Sequence, residues 1–312
     1  MGTTERFDFS SFDNGGAGNS DFGHAHGPGI DLRPELPQST PDLIGVDLTH
    51  RIDVSSIDWA AASGGAGGKP GGGGGGGGGL SFSPYTTTGS ASSVYNITVE
   101  FKGSSWTQDL HDVFVSAADR LAKLITGEIP DVGVIMKGGV RLVDDLLITA
   151  ELKNIDGEGG ILGQAGPTSL RTGSYFPATA SMQFDSADAA KYFTLGLFDE
   201  IVTHEMLHSV GFGTIWSYLG LAANSLFTGA NAVAAYNVLL GGGSATGVPL
   251  ETGGGSGTAD SHWSEAVFNN ELMTGYINLG SDPLSRMTVA SLEDLGYHVT
   301  YNAAAIDGYA LA

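Results

Sequence analysis

Nine consecutive glycines, Gly71–Gly79, divide this 312-residue chain. Polyglycine has no side chain to bury and loses more backbone entropy on ordering than any other sequence. Neither a helix nor a packed strand is expected to cross it. The stretch before it is punctuated as well: residues 14–30 are rich in Gly, Asn and His, and Pro34, Pro37 and Pro41 follow. Such a composition buries too little apolar surface to offset the cost of ordering. Residues 1–80 are therefore expected to form a largely disordered arm, with a flexible linker over 63–79. Within the arm, the apolar pattern from Leu43 to Trp59 is the part suited to dock as a short segment. Folding is left to residues 81–312.

Charge and residue usage exclude several function classes. There are 13 Lys plus Arg against 34 Asp plus Glu, a net charge of −21. No stretch supplies the basic footprint of a nucleic-acid binder. The chain has no cysteine, which excludes disulfides, thiolate catalysis and Cys-ligated zinc. Any metal must be held by His, Asp, Glu or backbone oxygen. The first residues carry Glu5, Arg6 and Asp8 with no apolar h-region, unlike a cleaved secretory signal. No run reaches the ~18 apolar residues that span a bilayer. With 50 glycines, an acidic balance and no Cys, the composition suits a chain exported unfolded. The expectation is secretion without a cleaved N-terminal signal, by a one-step channel reading an uncleaved signal near residues 302–312; a cytoplasmic location is the alternative. Gly15–Asp21 and Gly254–Asp260 approach a calcium-binding Gly-Asp nonapeptide. In both the Asp falls one place late, so no repeat array supports calcium.

From about Ser92 the pattern becomes regular. Val94–Phe101 alternates and is rich in β-branched and aromatic residues, as a strand is. In Thr107–Ile125 the apolar residues Leu110, Val113, Phe114, Ala117, Leu121 and Leu124 form a helical stripe. Leu146–Leu152 reads as a second strand and Ala180–Phe184 as a third, shorter one. Thr194–Val210 reads as a second helix, turned to a core by Leu197, Phe198, Ile201, Val202, Met206 or Leu207, and Val210, and ended by Gly211 and Gly213. A short helix is expected at Ala232–Leu240 and a last one within Leu284–Leu295, ending at Gly296. This order predicts an α+β domain of about 220 residues.

The second helix carries His204-Glu205-Met206-Leu207-His208. Histidines at i and i+4 share one helical face, so both imidazoles reach one ion from a rigid base. The glutamate beside the first ligand is placed to take a proton from a zinc-bound water. Catalytic zinc needs a third protein ligand. The other histidines are His24, His26, His50, His111, His262 and His298. In the short HExxHxxGxxH form the third ligand follows the second His by six residues. Gly211 is present here, but that position is Thr214. The glycine still lets the chain leave the helix sharply, and a ligand can return after an insertion. His262, in Asp260-Ser261-His262-Trp263 after a Gly-rich loop, is the leading candidate. Glu265 and Glu271 are the alternatives, as they would be in a different HExxH hydrolase.

Met273, within Glu271-Leu272-Met273-Thr274-Gly275, lies eleven residues past His262. An HExxHxxGF segment, a long insertion, a third His and an ELM turn at this spacing resemble the leishmanolysin-like metzincin zinc metallopeptidases, of bacterial type. Asp156–Arg171 and Pro283–Tyr297 add to the resemblance, which runs from about Tyr95 to Tyr301. It implies one catalytic Zn2+ held by His204, His208 and His262, Glu205 as general base, Gly211 at the turn and Met273 beneath the metal. The implied fold is a metzincin-like α+β domain. A small mixed sheet with a backing helix and an active-site helix precedes an irregular lower subdomain with a Met-turn and a C-terminal helix. The implied function is that of a zinc-dependent endopeptidase acting on extended polypeptides; the sequence leaves the oligomeric state open, with a monomer as the expectation. Ala180–Phe184 would run along the cleft and pair with the substrate. Lacking Cys and an apolar tail, the chain departs from members with disulfides and lipid anchors, and a cysteine switch is excluded; the arm is the candidate pro-segment. The alternative is a catalytically inactive zinc-binding surface or adhesion module of the same fold, against which the intact Glu205 argues. Among the remaining residues, Trp263 and Tyr276 read as packing, His298 as solvent-facing and His111 as lying on a polar helix face. Asp185 or Ser186 reads as a helix start, with preference for basic substrate side chains as the other role for Asp185 and Asp188.

Overall fold

The computed structural model describes residues 43–45, 50–53, 80–87, 94–159, 161–255, 257–278 and 280–311. The expected linker at 63–79, the Gly15–Asp21 near-repeat, His24 and His26 lie outside the described residues.

Nine strands build the upper half. They are β1 (Leu43–Gly45), β2 (His50–Asp53), β3 (Tyr85–Thr86), β4 (Ile97–Lys102), β5 (Val132–Met136), β6 (Gly139–Val143), β7 (Leu146–Lys153), β8 (Ile161–Arg171) and β9 (Pro177–Asp185). Seven form one mixed sheet in the order β1-β8-β9-β7-β4-β3, with β2 also on β8. β4, β7 and β9 run parallel; β8 and β3 are antiparallel to their neighbours. In β4, buried Ile97, Val99 and Phe101 alternate with more exposed Thr98, Glu100 and Lys102, the period-2 pattern visible in the sequence. β5 and β6 form a separate hairpin whose Val132, Val134 and Val143 pack on Leu147 and Ala178.

Helix α1 (Gln108–Leu124) follows β4. The Thr107 hydroxyl caps it, accepting from Leu110 N at 3.2 Å, and its predicted stripe is the buried face. Phe114 on this helix meets Phe184 of β9 at 5.7 Å between ring centroids, and both meet Phe198, at 6.2 and 5.4 Å. Each fully buried Phe contributes about 1.5–3 kcal/mol, and edge-to-face pairing adds about 0.5–1.5 kcal/mol. This cluster ties α1, the sheet and the helix beginning at Phe198 into one core.

Two expectations are corrected here. The single helix read over Thr194–Val210 is the end of one helix and the whole of another: α2 (Ser186–Leu195) and α3 (Phe198–Ser209). Gly196 separates them in the left-handed region at φ 73°, a conformation that a side-chain-bearing residue resists. The Ala-rich start of α2 carries too weak an apolar stripe to be read from sequence. The second correction concerns Ala180–Phe184. It lies inside a nine-residue strand paired with β7 on one side and β8 on the other, so it has no free edge for a substrate. The outer neighbour is β8, which the sequence reading missed. Gly163, Gly166 and Pro167 break its alternation, and the register shifts around Pro167 and Ser169. β1 and β2 pair antiparallel with the other side of β8.

Beyond α3 the chain is mostly irregular. It contains α4 (Ala230–Leu239), the single-turn α5 (Glu265–Phe268), α6 (Arg286–Asp294) and a small sheet of the two-residue strands Ala222–Ala223, Leu226–Phe227 and Val248–Pro249. α6 starts at Ser285, whose hydroxyl accepts from Thr288 N at 3.1 Å. Among the described residues no helix is long and apolar enough to cross a membrane. The α+β class and the mixed sheet are as expected.

Candidate metal centre

α3 carries His204 and His208 one turn apart, with their Nε2 atoms 2.9 Å from each other. Every residue from Ile201 to Ser209 is buried, so both helix faces are covered. The helix ends at Val210 and the chain reverses through Gly211 at φ 115° and Gly213 at φ 70°. A Cβ on Gly213 would run into the backbone of Ser261. The absent side chain is what lets the returning chain pass close enough to deliver the next residue, His262. Its Nε2 lies 3.1 Å from that of His204 and 3.0 Å from that of His208.

The other ring nitrogens decide the chemistry of this triad. His204 Nδ1 donates to Leu272 O at 2.7 Å, His208 Nδ1 to Phe212 O at 2.9 Å and His262 Nδ1 to Thr258 O at 3.2 Å. A carbonyl only accepts, so each Nδ1 carries the hydrogen and each neutral ring turns a bare Nε2 lone pair to a common point. Three such lone pairs repel unless a cation lies between them. Ideal tetrahedral ligands at about 2.0–2.1 Å from zinc stand about 3.4 Å apart, within a few tenths of an ångström of this spacing. The donor set therefore fits zinc, with three imidazoles and no thiolate. Among the described residues, Glu128, Asp131 and Asp144 form the other group with metal-ligand spacing, at the surface near the β5–β6 hairpin.

His204, Glu205, His208 and His262 are all 0% exposed. Glu205 has no hydrogen-bond partner among the described residues, and burial alone pushes its carboxyl well above the usual range. A carboxyl held that way is a strong proton acceptor once ionised.

The other singled-out residues fall as follows. Met273 is wholly buried beside Leu272, and its carbonyl accepts from Trp263 N at 3.0 Å. Trp263 packs among Phe212, Trp216 and Phe227 and donates Nε1 to Thr288 Oγ1 at 2.8 Å. Glu265 and Glu271, the alternative third ligands, do not join the histidine group. Tyr276 is half-buried and His298 exposed. His111 bonds Asp112 and stacks on Phe82 at 4.0 Å. Asp185 caps α2 through Ala187 N and accepts from Ile155 N, Asp156 N and Gly157 N, while Asp188 accepts from Gly159 N. These two acids hold the loop before β8. The orienting carbonyls of Leu272, Phe212 and Thr258 had no sequence signal, because every residue type has one.

A buried histidine triad with a helix-borne glutamate beside it is an arrangement able to hold a metal ion. Residues 158–310 match the model of the leishmanolysin family. This stretch is leishmanolysin-like, as the motifs imply. It is also similar to the leishmanolysin-like peptidases of Drosophila melanogaster and Drosophila pseudoobscura pseudoobscura, each 44% identical over 59 residues. That match covers 19% of this chain and 8% of each relative, so the chain spans under a tenth of the curated relatives it matches.

Proposed function

We propose that this protein is a zinc-dependent endopeptidase acting on extended polypeptides. The observation that carries the reading is the convergence of three imidazole Nε2 atoms within 3.1 Å, one residue from a buried carboxyl with no hydrogen-bond partner among the described residues. His204, His208 and His262 would hold the ion. When bound, zinc supplies Lewis acidity toward water and the scissile carbonyl. Glu205 takes a proton from the attacking water and returns it to the leaving amine. The carbonyls of Leu272, Phe212 and Thr258 keep the three rings in the tautomer that binds metal.

The reading includes residues 1–80 as a pro-segment. Two features support it. β1 and β2 lie antiparallel along β8, where an extended peptide would add a strand by main-chain bonding, and the triad and Glu205 are wholly buried. Secretion without a cleaved N-terminal signal remains part of the proposal. Fractionation that leaves all of the protein in the host cytoplasm refutes that part.

The test is a casein or gelatin zymogram of the full chain and of a chain beginning at Ser81, with and without a chelator. Chelator-sensitive lysis, stronger for the shorter chain, is expected. Zinc-replete protein of either length that never cleaves would favour the inactive binding module. Equal activity of the two lengths would remove the pro-segment.

A further inference from the structure

Resting on the zinc reading, we infer that Glu271 is a positioning residue of the metal centre: its carboxylate fastens the turn that orients His204 and anchors the chain beside His262. Glu271 is wholly buried. Its Oε2 accepts from Met273 N at 2.6 Å, and its Oε1 accepts from Ser285 N at 3.0 Å and Thr288 Oγ1 at 2.5 Å. One oxygen thus holds the Met273 turn and the other holds the first turn of α6.

From that turn two backbone carbonyls reach the site. Leu272 O lies between the two residues that the carboxylate spans and receives His204 Nδ1. Met273 O receives Trp263 N, the residue after His262. A second link runs through Thr288, whose hydroxyl donates to Glu271 and accepts from Trp263 Nε1. Glu271 therefore reaches two of the three histidines without approaching the metal position. Held ring orientation is what a polar shell of this kind supplies to a metal, and its loss typically costs about 10–100-fold in affinity.

All three partners are donors, so the site needs an acceptor with two free oxygens. In Glu271→Gln, one oxygen becomes an NH2 and must face either Met273 N–H or the pair from Ser285 and Thr288. Glu271→Asp keeps the charge but is one methylene too short to serve both ends at once.

The experiment compares full-length wild type, Glu271→Gln and, as a stability control in the distant sheet, Ile148→Ala. Zinc affinity is measured by competition with a chromophoric chelator, the visible spectrum with Co2+ in place of zinc, and Tm on the metal-free chains. The expected result for Glu271→Gln is about 10–100-fold weaker zinc and a shifted cobalt spectrum, with both unchanged in Ile148→Ala despite its lower Tm. Wild-type affinity and spectrum in Glu271→Gln overturn the inference and leave the zinc reading standing. Equal weakening in Ile148→Ala also overturns it, because the effect is then general loosening. Failure of the wild type to bind either metal overturns both readings. If Glu271→Gln does not fold, Glu271→Asp decides in the same way: weaker zinc with a shifted spectrum supports the role, and wild-type values overturn it.

Discussion

In the sheet half, from Ile97 to Asp185, backbone groups satisfy one another along continuous ladders, and apolar side chains fill the space between sheet and helices. In the C-terminal half, from Gly211 to Leu311, regular elements are short and acidic side chains, from buried Asp282 to exposed Asp307, take over the role of the ladder. Glu251 accepts from Thr252 N, Gly253 N and Glu265 N. Asp282 accepts from Asn278 N, Asp294 from Asn231 N and Ala232 N, and Asp307 from Leu284 N. Part of the chain's acidic content thus staples its own loops. A ladder distributes its bonds over many residues, whereas a staple concentrates a loop's position in one carboxylate. Substitutions in the first half should cost stability by degrees. Those in the second should displace the metal centre.

The largest expected effect comes from the C-terminal half. His262→Ala should weaken zinc binding by orders of magnitude, since affinity follows ligand count and geometry, while His298→Ala, on an exposed residue, should change nothing. Metal stoichiometry after mild chelation compares the two. Full zinc in His262→Ala would put the third ligand elsewhere.

On the helix that joins the halves, Glu205→Ala should lower peptidase activity by about 10²–10⁴ and leave zinc in place. Activity within a few-fold of wild type, or loss of the metal, would contradict the assigned proton transfer.

Gly213→Ala sharpens the contrast between backbone and side chain. The residue sits at φ 70° against Ser261. The conformation alone costs about 1–2 kcal/mol, and the displaced Ser261 carries His262 with it. Both Tm and zinc affinity should fall; a drop in Tm with unaltered affinity would separate this turn from the site.

A pH titration tests the seam between the halves. Glu200, in the first turn of α3, accepts from Asp282 N at 3.1 Å. Burial pushes both carboxyls up to about 7, helped at Asp282 by the Glu200 charge. The folded state then binds protons more tightly than the unfolded chain. This contribution is fully present below the ordinary carboxylate range and is lost as pH rises from about 4 through about 7. Tm of the metal-free chain should decline across that window, and Glu200→Gln should flatten the decline, at about 2–4 °C per kcal/mol in a domain of this size. An unaltered profile in that variant would remove Glu200 from the account.

The smallest effect is reserved for the sheet. Ile148→Val, in the centre of β7, should cost about 0.5–1.5 kcal/mol with no change in zinc affinity. A metal defect there would break the division between the halves.

What was legible in the sequence was local or carried by a spaced motif. The α1 stripe, the alternation of β4 and the HExxH pair depend on periods of 3.6 or 2, which a short window contains. His262 and Met273 stood out through their spacing and the resemblance it supports. The break at Gly196 is not legible because one left-handed residue separates two helices, and the Ala-rich first of these carries only a weak apolar stripe. The interior position of β9, the pairing of residues 43–45 and 50–53 with β8, the three carbonyls that orient the histidines, and the reach of Glu271 from the Met273 turn to α6 were decided by tertiary structure alone. The reason is physical: strand partners and backbone acceptors are chosen by which distant segments meet, and a peptide carbonyl is the same whatever residue carries it.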